Sequence, residues 1–251
     1  LGRNFFRMFP PDDDGNVIIA ENASVDCSFL TDTNVTARAE GTDLRIMDAN
    51  ILAEYDSWST LPEGVPPVPG YRAEIFLAHL ALYDPDVVGL QEVSPAWVKA
   101  IREGLDPEQY ALIGVTSETA NENFSPILYR TDRYELVDWD MYNYSVGNNA
   151  RCRRVTWAVF EDRETGERFA LANTHWDGNN AQGLRQSAEI AATINGIAAQ
   201  YQCPVFSTGD YNSNENTDTY KQLMEMTGMV NTKYVAEDQI NNIGSWHELN
   251  Q

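Results

Sequence analysis

The segment PVFSTGDYNSNE, residues 204–215, sets an acid and an amide two residues apart, directly after a glycine and an apolar run. Asp210 is an anion that can take a proton or a metal; Asn212 is neutral and both donates and accepts. Val205 and Phe206 predict a buried strand, and Gly209 lets the backbone turn or approach a neighbour closely. If the extended path continues, Asp210 and Asn212 point the same way, because side chains alternate along a strand. A lone Gly-Asp-x-Asn reads first as an Asn/Asp/Ser-rich turn closing a strand, so other segments must decide.

Three further apolar runs end in residues of related chemistry. RIMDAN ends at Asn50, and VVGLQEV carries Glu92. FALANTHWDGNN places His175 after an apolar run, then Asp177 and Asn179 at steps of two. A carboxylate leaving a buried strand, as Glu92 does after DVVGLQ, needs a partner. Together these residues supply hard oxygen donors, one imidazole and several amides. Hard donors suit Mg²⁺, Mn²⁺ or Ca²⁺ better than zinc or copper. Taken singly, Asn50 is a turn residue and His175 could be a satisfied structural histidine. Their shared placement at strand ends is what suggests a site, since sites gather in loops at one edge of a sheet.

The elements that must position them are legible from residue 43 onward. YRAEIFLAHLALYD has a helical apolar face through Ile75, Leu77, Ala78 and Leu82. PDVVGLQEV is a continuous apolar strand, the pattern of burial on both faces. SPAWVKAIREGL opens with Ser94 as N-cap and Pro95 at the first helical position. FSPILYR, WDMYNY and RRVTWAVFED predict strands, and the ETGE turn makes residues 153–175 a hairpin. A long helix follows with Ile190, Ile194, Ile197 and Tyr201 on one face. A later helix gathers Tyr220, Leu223 and Met224 and ends at Gly228. Strands that alternate with helices yet also pair as hairpins predict an α/β (α+β) fold of two mixed sheets with helices outside. Residues 1–42, with a PPDDDGN turn and a polar connector, form an expected N-terminal extension to a domain at 43–251.

Composition narrows the classes. The chain has 251 residues, 43% of them hydrophobic, enough for a sizeable core. No stretch approaches the apolar length of a bilayer span, so stable membrane insertion is not expected. The opening LGRNFFRMFPPDDD is too short and too charged in its apolar part to be a signal peptide, although a segment upstream of Leu1 is compatible with this start. The formal net charge of −21 argues against a broad basic surface for nucleic acid, but not against a nucleic-acid substrate held locally through a metal. Cys27, Cys152 and Cys203 form no metal-binding pattern and are expected as buried free thiols, with one disulfide an alternative.

The ordered motifs at Asn50 (LRIMDAN), GLQEV, SPILYR, RRVTWAVF, NTHWD and TGDYN resemble those of the endonuclease/exonuclease/phosphatase superfamily, the deoxyribonuclease-I-like fold. The resemblance runs from about residue 43 to the last residue. It implies a four-layer sandwich of two packed mixed β-sheets flanked by helices. It also implies Mg²⁺-dependent hydrolysis of phosphodiesters or phosphomonoesters. By resemblance, Glu92 holds the metal and Asn50 supports metal or phosphate. His175 hydrogen-bonds the phosphate or assists the leaving group. Asp210 orients or activates the attacking water, and Asn212 stabilises the transition-state oxygens. Arg153, four residues before Trp157, is similar to the family's phosphate-facing arginine, with Arg154 its competitor because strand neighbours face opposite ways. Asp177 and Asn179 join the substrate-binding set.

The family pattern closes with an Ile-Asp-Tyr/His-Ile strand and a Ser-Asp-His motif, and neither occurs here. GSWHEL, with His247, resembles the segment just before that strand, so the sequence is expected to be part of a longer chain or one whose tail lies elsewhere, and this exact chain to be much weaker than a tail-bearing one, or inactive. GDYNSN departs from the inositol-polyphosphate 5-phosphatase pattern, and no strong membrane-contacting hairpin of the sphingomyelinase kind is evident. The expected protein is a soluble, monomeric, secreted or cell-surface nuclease or general phosphodiesterase. The alternative from another class is a catalytically dead binding module on the same scaffold.

Overall fold

The computed structural model describes residues 44–53, 70–115, 123–147, 153–178 and 180–237. The expected extension at 1–42, Cys27, Cys152, Asn179 and His247 lie outside the described residues. Among the described residues, eight strands form two mixed four-stranded sheets. The first contains β1 (Ile46–Asn50), β2 (Val87–Gln91), β3 (Tyr110–Ile113) and β4 (Ile127–Arg130) in the order β1-β2-β4-β3. The second runs in sequence order through β5 (Tyr134–Asn143), β6 (Arg154–Asp162), β7 (Arg168–His175) and β8 (Val205–Asp210). Strand β3, from QYALIG, escapes the sequence patterns because all four of its residues are only half-buried.

Each sheet contains one parallel pair, β1 with β2 and β7 with β8. Parallel neighbours need a long crossover. Helix α1 (Gly70–Tyr83) lies in the first crossover and α3 (Ala181–Tyr201) supplies the second. This topology matters for chemistry, because parallel strands finish on the same edge of their sheet. Asn50 pairs in register with Gln91, and His175 with Asp210.

Three apolar layers hold the sandwich. Between the sheets lie Val87, Ile127 and Tyr129 against Ala158, Phe160, Phe169 and Leu171. Outside the first sheet, α1 and α2 (Pro95–Gly104) pack Phe76, Leu80, Trp97 and Ile101. Outside the second, α3 and α4 (Asp218–Thr227) pack Ile190, Ile194 and Leu223 against Val155 and Ala172. The buried face of α1 is Ala73, Ile75, Phe76, His79 and Leu80, whereas Leu77, Ala78 and Leu82 are half-buried. The stripe is rotated from the predicted one because Phe76 turns its ring edge-on to Trp97 of α2, centroids 6.0 Å apart. Capping follows the predicted chemistry: Ser94 Oγ accepts from Trp97 N at 3.3 Å, and Gly228 closes α4 with φ 66°. Cys203 is a free, half-buried thiol. Among the described residues, no helix is long and apolar enough to cross a membrane.

Candidate metal and phosphate site

Asn50 is the last residue of β1, and the chain turns immediately after it. Leu52 adopts a left-handed backbone (φ 58°), and its N–H donates to Asn50 Oδ1 at 3.0 Å. That bond settles the amide's orientation and leaves Nδ2 facing outward. Nδ2 donates to Glu92 Oε1 at 3.1 Å and to Asp210 Oδ2 at 2.9 Å. The turn is clamped from the helical layer. Arg72 of α1, only 2% exposed, donates to the carbonyls of Ile51 and Leu52, and Trp97 Nε1 donates to Leu52 O at 3.1 Å.

Glu92 follows β2 and also sits at positive φ, 58°. A non-glycine residue held there costs on the order of 1–3 kcal/mol, so its surroundings must over-determine it. They do so on the C-terminal side, where Val93 and Phe124 exchange backbone hydrogen bonds of 3.1 and 2.9 Å. Glu92 Oε2 accepts from Ala53 N at 3.2 Å. The carboxylate leaving the buried strand thus has its partners.

From the other sheet come His175 and Asp210, the paired ends of β7 and β8, with Nε2 3.8 Å from Oδ2. The extended path does not continue past Asp210, contrary to the alternation argument. Asn212 is left-handed (φ 43°) and its N–H donates to Asp210 Oδ1 at 2.9 Å, a local turn in which the carboxylate replaces a strand partner. The Asn212 side chain still reaches the site: Nδ2 donates to Trp176 O at 2.9 Å and lies 3.0 Å from His175 Nε2. Because the amide must donate to the Trp176 carbonyl, it faces Nε2 as a donor, which favours the neutral tautomer with its proton on Nδ1, a buried atom with no hydrogen-bond partner among the described residues. Gly209 serves strand packing. A Cβ there would lie 2.6 Å from Thr174 O of β7.

His175 is 3% exposed. Burial pushes its pKa from 6.5 down to about 4, and the Arg153 guanidinium adds to this against the opposing pull of Asp210, Glu92 and Asp177. The imidazole is therefore neutral at neutral pH, which agrees with Nε2 accepting. Arg153 is half-buried, and its Nε donates to Asp177 Oδ1 at 2.7 Å. Gln186 of α3 fixes that acid by donating from Nε2 to Oδ2 at 2.9 Å and accepting from Asp177 N at 2.7 Å. Asp177 therefore stands beside the site as the holder of Arg153. Arg154, the neighbour across the strands from His175, is 4% exposed and lies over the Phe124 ring, 5.0 Å from its centroid.

Glu92, His175 and Asp210 each present a ligand atom, and these atoms all lie within 4.8 Å of one another. Two carboxylates this close repel, and the Asn50 amide bridges them; a divalent cation would relieve that repulsion. Two hard oxygens and one imidazole fit Mg²⁺ or Mn²⁺. The resemblance groups Glu92 with Asn50 around a metal; the folded chain brings Asp210 and His175 within reach of Glu92. Arg72, Trp97 and Gln186 support the site without any motif of their own. The signal for Arg72 was a charge on the buried face of an amphipathic helix.

A family model described as the endonuclease/exonuclease/phosphatase family matches residues 50–247. Among solved structures, an endonuclease/exonuclease/phosphatase of Bacteroides vulgatus shares 26% identity, with TM-score 0.61 over 74% of this chain and 72% of that one. A mannosyl-6-phosphatase of Bacteroides thetaiotaomicron shares 21% identity, with TM-score 0.62 over 73% and 70% of the two chains. The human nocturnin catalytic domain, solved with a bound sulfate, shares 17% identity with TM-score 0.61 over 77% and 73%. No curated protein matches the chain.

Proposed function

The chain belongs to the endonuclease/exonuclease/phosphatase family, and on that premise we propose that it hydrolyses phosphoric esters with a divalent cation, phosphodiesters first among them. The observation that carries the reading is the convergence of Glu92, His175 and Asp210, from three strand ends in two sheets, within 4.8 Å.

Glu92 and Asp210 would hold the cation, with Asn50 supporting it, which leaves His175 Nε2 at the edge of that cluster for the phosphate. When bound, such an ion neutralises the anionic ester and polarises its P–O bond. The chain's own groups divide the remaining work. Asp210 orients a water and takes its proton as the water oxygen bonds to phosphorus. The ester P–O bond breaks, and its electron pair leaves with the alkoxide oxygen, which then takes up a proton. Asn212 Nδ2 exchanges His175 Nε2 for a phosphate oxygen and donates to the charge that grows there. His175 is neutral in the free protein. The negative charge of an arriving phosphate raises its proton affinity, so that it can donate to the phosphate or to the leaving oxygen. Arg153, aimed by Asp177, faces the phosphate; Asp177 serves the substrate-binding set through that aim, and Asn50 and Asn179 complete it.

A net charge of −21 supports local gripping of an ester over broad attraction of a polyanion. It also suits a monomer working outside the cell or at its surface. Nuclease or general phosphodiesterase activity is the leading form. The neighbour named a mannosyl-6-phosphatase supports including phosphomonoesters among the candidates.

The test is hydrolysis of bis(4-nitrophenyl) phosphate and 4-nitrophenyl phosphate with Mg²⁺ or Mn²⁺, compared with Asp210→Ala. Loss of about 10²–10⁴-fold in kcat is expected. Equal rates, or no turnover of any ester with either metal, would sink the enzyme reading and leave a binding module. A panel of plasmid DNA, RNA, sphingomyelin and inositol phosphates then sorts the substrate class.

A further inference from the structure

The site depends on two sheet edges staying in register, since Asn50 and Glu92 come from one sheet and His175 and Asp210 from the other. Strands β1 and β8 are the edge strands concerned. Apolar packing between sheets is non-directional and cannot by itself fix their relative height. A polar network crosses the gap directly beneath the site. Its interior members are Gln91, 1% exposed, Asn173, 0%, and Thr208, 6%. Each lies one or two residues before a site residue: Glu92, His175 and Asp210 in turn.

Gln91 Nε2 donates to Asn173 Oδ1 at 2.8 Å, joining β2 to β7. Asn173 Nδ2 is within 2.8–3.0 Å of the carbonyls of Leu90, Ser125 and Pro126, and Thr208 Oγ1 donates to Asn173 Oδ1 at 3.1 Å. Gly89 makes this approach possible, because a Cβ there would lie 2.0 Å from Thr208 Oγ1 and 2.6 Å from Asn173 Oδ1.

The outermost member is Asp48, two residues before Asn50. Its Oδ1 accepts from Gln91 Nε2 at 2.8 Å, and its Oδ2 accepts from the backbone N–H of Gly209 at 3.1 Å. That N–H belongs to an edge strand and immediately precedes Asp210. Two donors from two sheets therefore converge on one side chain. A carboxylate carries only acceptors and satisfies both; an amide would turn an NH₂ against one of them.

From this juxtaposition of Asp48, Gln91 and the Gly209 N–H we infer that Asp48 is a positioning residue, a clasp between the two sheet edges that holds Asn50 and Glu92 at cation-binding distance from Asp210 and His175. The inference rests on the metal reading of the site given above. It differs from a purely structural role in what it predicts. Groups that orient metal ligands typically change metal affinity or activity about 10–100-fold when altered, because a site must be held to within roughly 0.5 Å.

The test is Mn²⁺ binding, followed by calorimetry and by the electron paramagnetic resonance of free Mn²⁺, in wild type, Asp48→Asn and Asp48→Ser. Hydrogen exchange of the Gly209 amide is measured in the metal-free proteins. Both variants are expected to stay folded, to exchange Gly209 faster, and to bind Mn²⁺ about tenfold or more weakly. On bis(4-nitrophenyl) phosphate at limiting Mn²⁺, kcat should fall and recover as Mn²⁺ is raised. Equal Mn²⁺ affinity in wild type and a folded variant overturns the inference and leaves the metal site standing. Unfolding of both variants makes Asp48 structural and also overturns it. A wild type that binds no Mn²⁺ removes the metal reading itself, and the inference with it.

Discussion

Acidification isolates the most strongly perturbed group in the site. His175 keeps its proton off until about pH 4, whereas an unfolded histidine takes one up near 6.5. Between those values the unfolded chain binds more protons, so stability must fall as pH falls. The loss begins near pH 6.5 and is complete below about 4. A shift of one unit corresponds to about 1.4 kcal/mol, so the full effect is on the order of 3 kcal/mol, of which about 2 kcal/mol appears between pH 7.5 and 5. His79 is also held below its ordinary value, chiefly by burial, and would add its own slope. The perturbation is therefore His175→Gln, which keeps an acceptor near Asn212 Nδ2 while removing the titration. The assay is urea unfolding of chelator-treated protein at intervals from pH 7.5 to 5, read as wild type minus variant. That difference should shrink by about 2 kcal/mol, with a maximal slope approaching 1.4 kcal/mol per pH unit. Proton NMR of the imidazole Cε1–H gives a second reading. Arg153→Gln should raise the His175 pKa, and Asp210→Asn should lower it further, since the first removes a repelling charge and the second an attracting one. Parallel stability curves, or a His175 resonance titrating near 6.5, would refute the neutral, accepting imidazole on which the proton assignment rests.

Further outcomes are expected elsewhere in the molecule. Glu92→Gln should fold normally yet bind Mn²⁺ at least tenfold more weakly in calorimetry, because it removes one of the two carboxylates. Asp86 is 0% exposed and accepts from Arg133 Nη1 at 2.6 Å and Arg45 N at 2.7 Å. Asp86→Ala should cost about 3–5 kcal/mol in denaturant unfolding, by stranding those donors. Gly89→Ala should cost about 1–3 kcal/mol or more, since its Cβ would meet Thr208 and Asn173 on the facing sheet. Tyr144→Phe should cost about 1 kcal/mol through loss of the buried 2.6 Å bond between its hydroxyl and Thr174 Oγ1.

The elements were legible where local chemistry decides them. Ser94-Pro95 announces a helix start, ETGE a hairpin turn, and DVVGLQ a strand buried on both faces, and each stands in the fold as read. Reading was weakest where a neighbour decides. The face of α1 is set by Trp97 of the next helix. Strand β3 exists because β4 offers it a full antiparallel ladder.

The site divides the same way. The types of Asn50, Glu92, His175, Asp210 and Asn212 and their placement at strand ends are written in the chain, because a strand's apolar run has to stop where a polar group emerges. Their meeting is not written there. Asn50 and Asp210 are 160 residues apart in sequence and share a 2.9 Å hydrogen bond only because two parallel pairs finish on facing edges. Nor could spacing show that Asn212 reaches His175 through a left-handed turn, or that Gly209 makes room for Thr174. Backbone conformation, burial and cross-sheet hydrogen bonds are properties of the packed chain. They bring five polar residues from four strand ends into one cluster with a neutral imidazole and two adjacent carboxylates, and only the tertiary structure sets them.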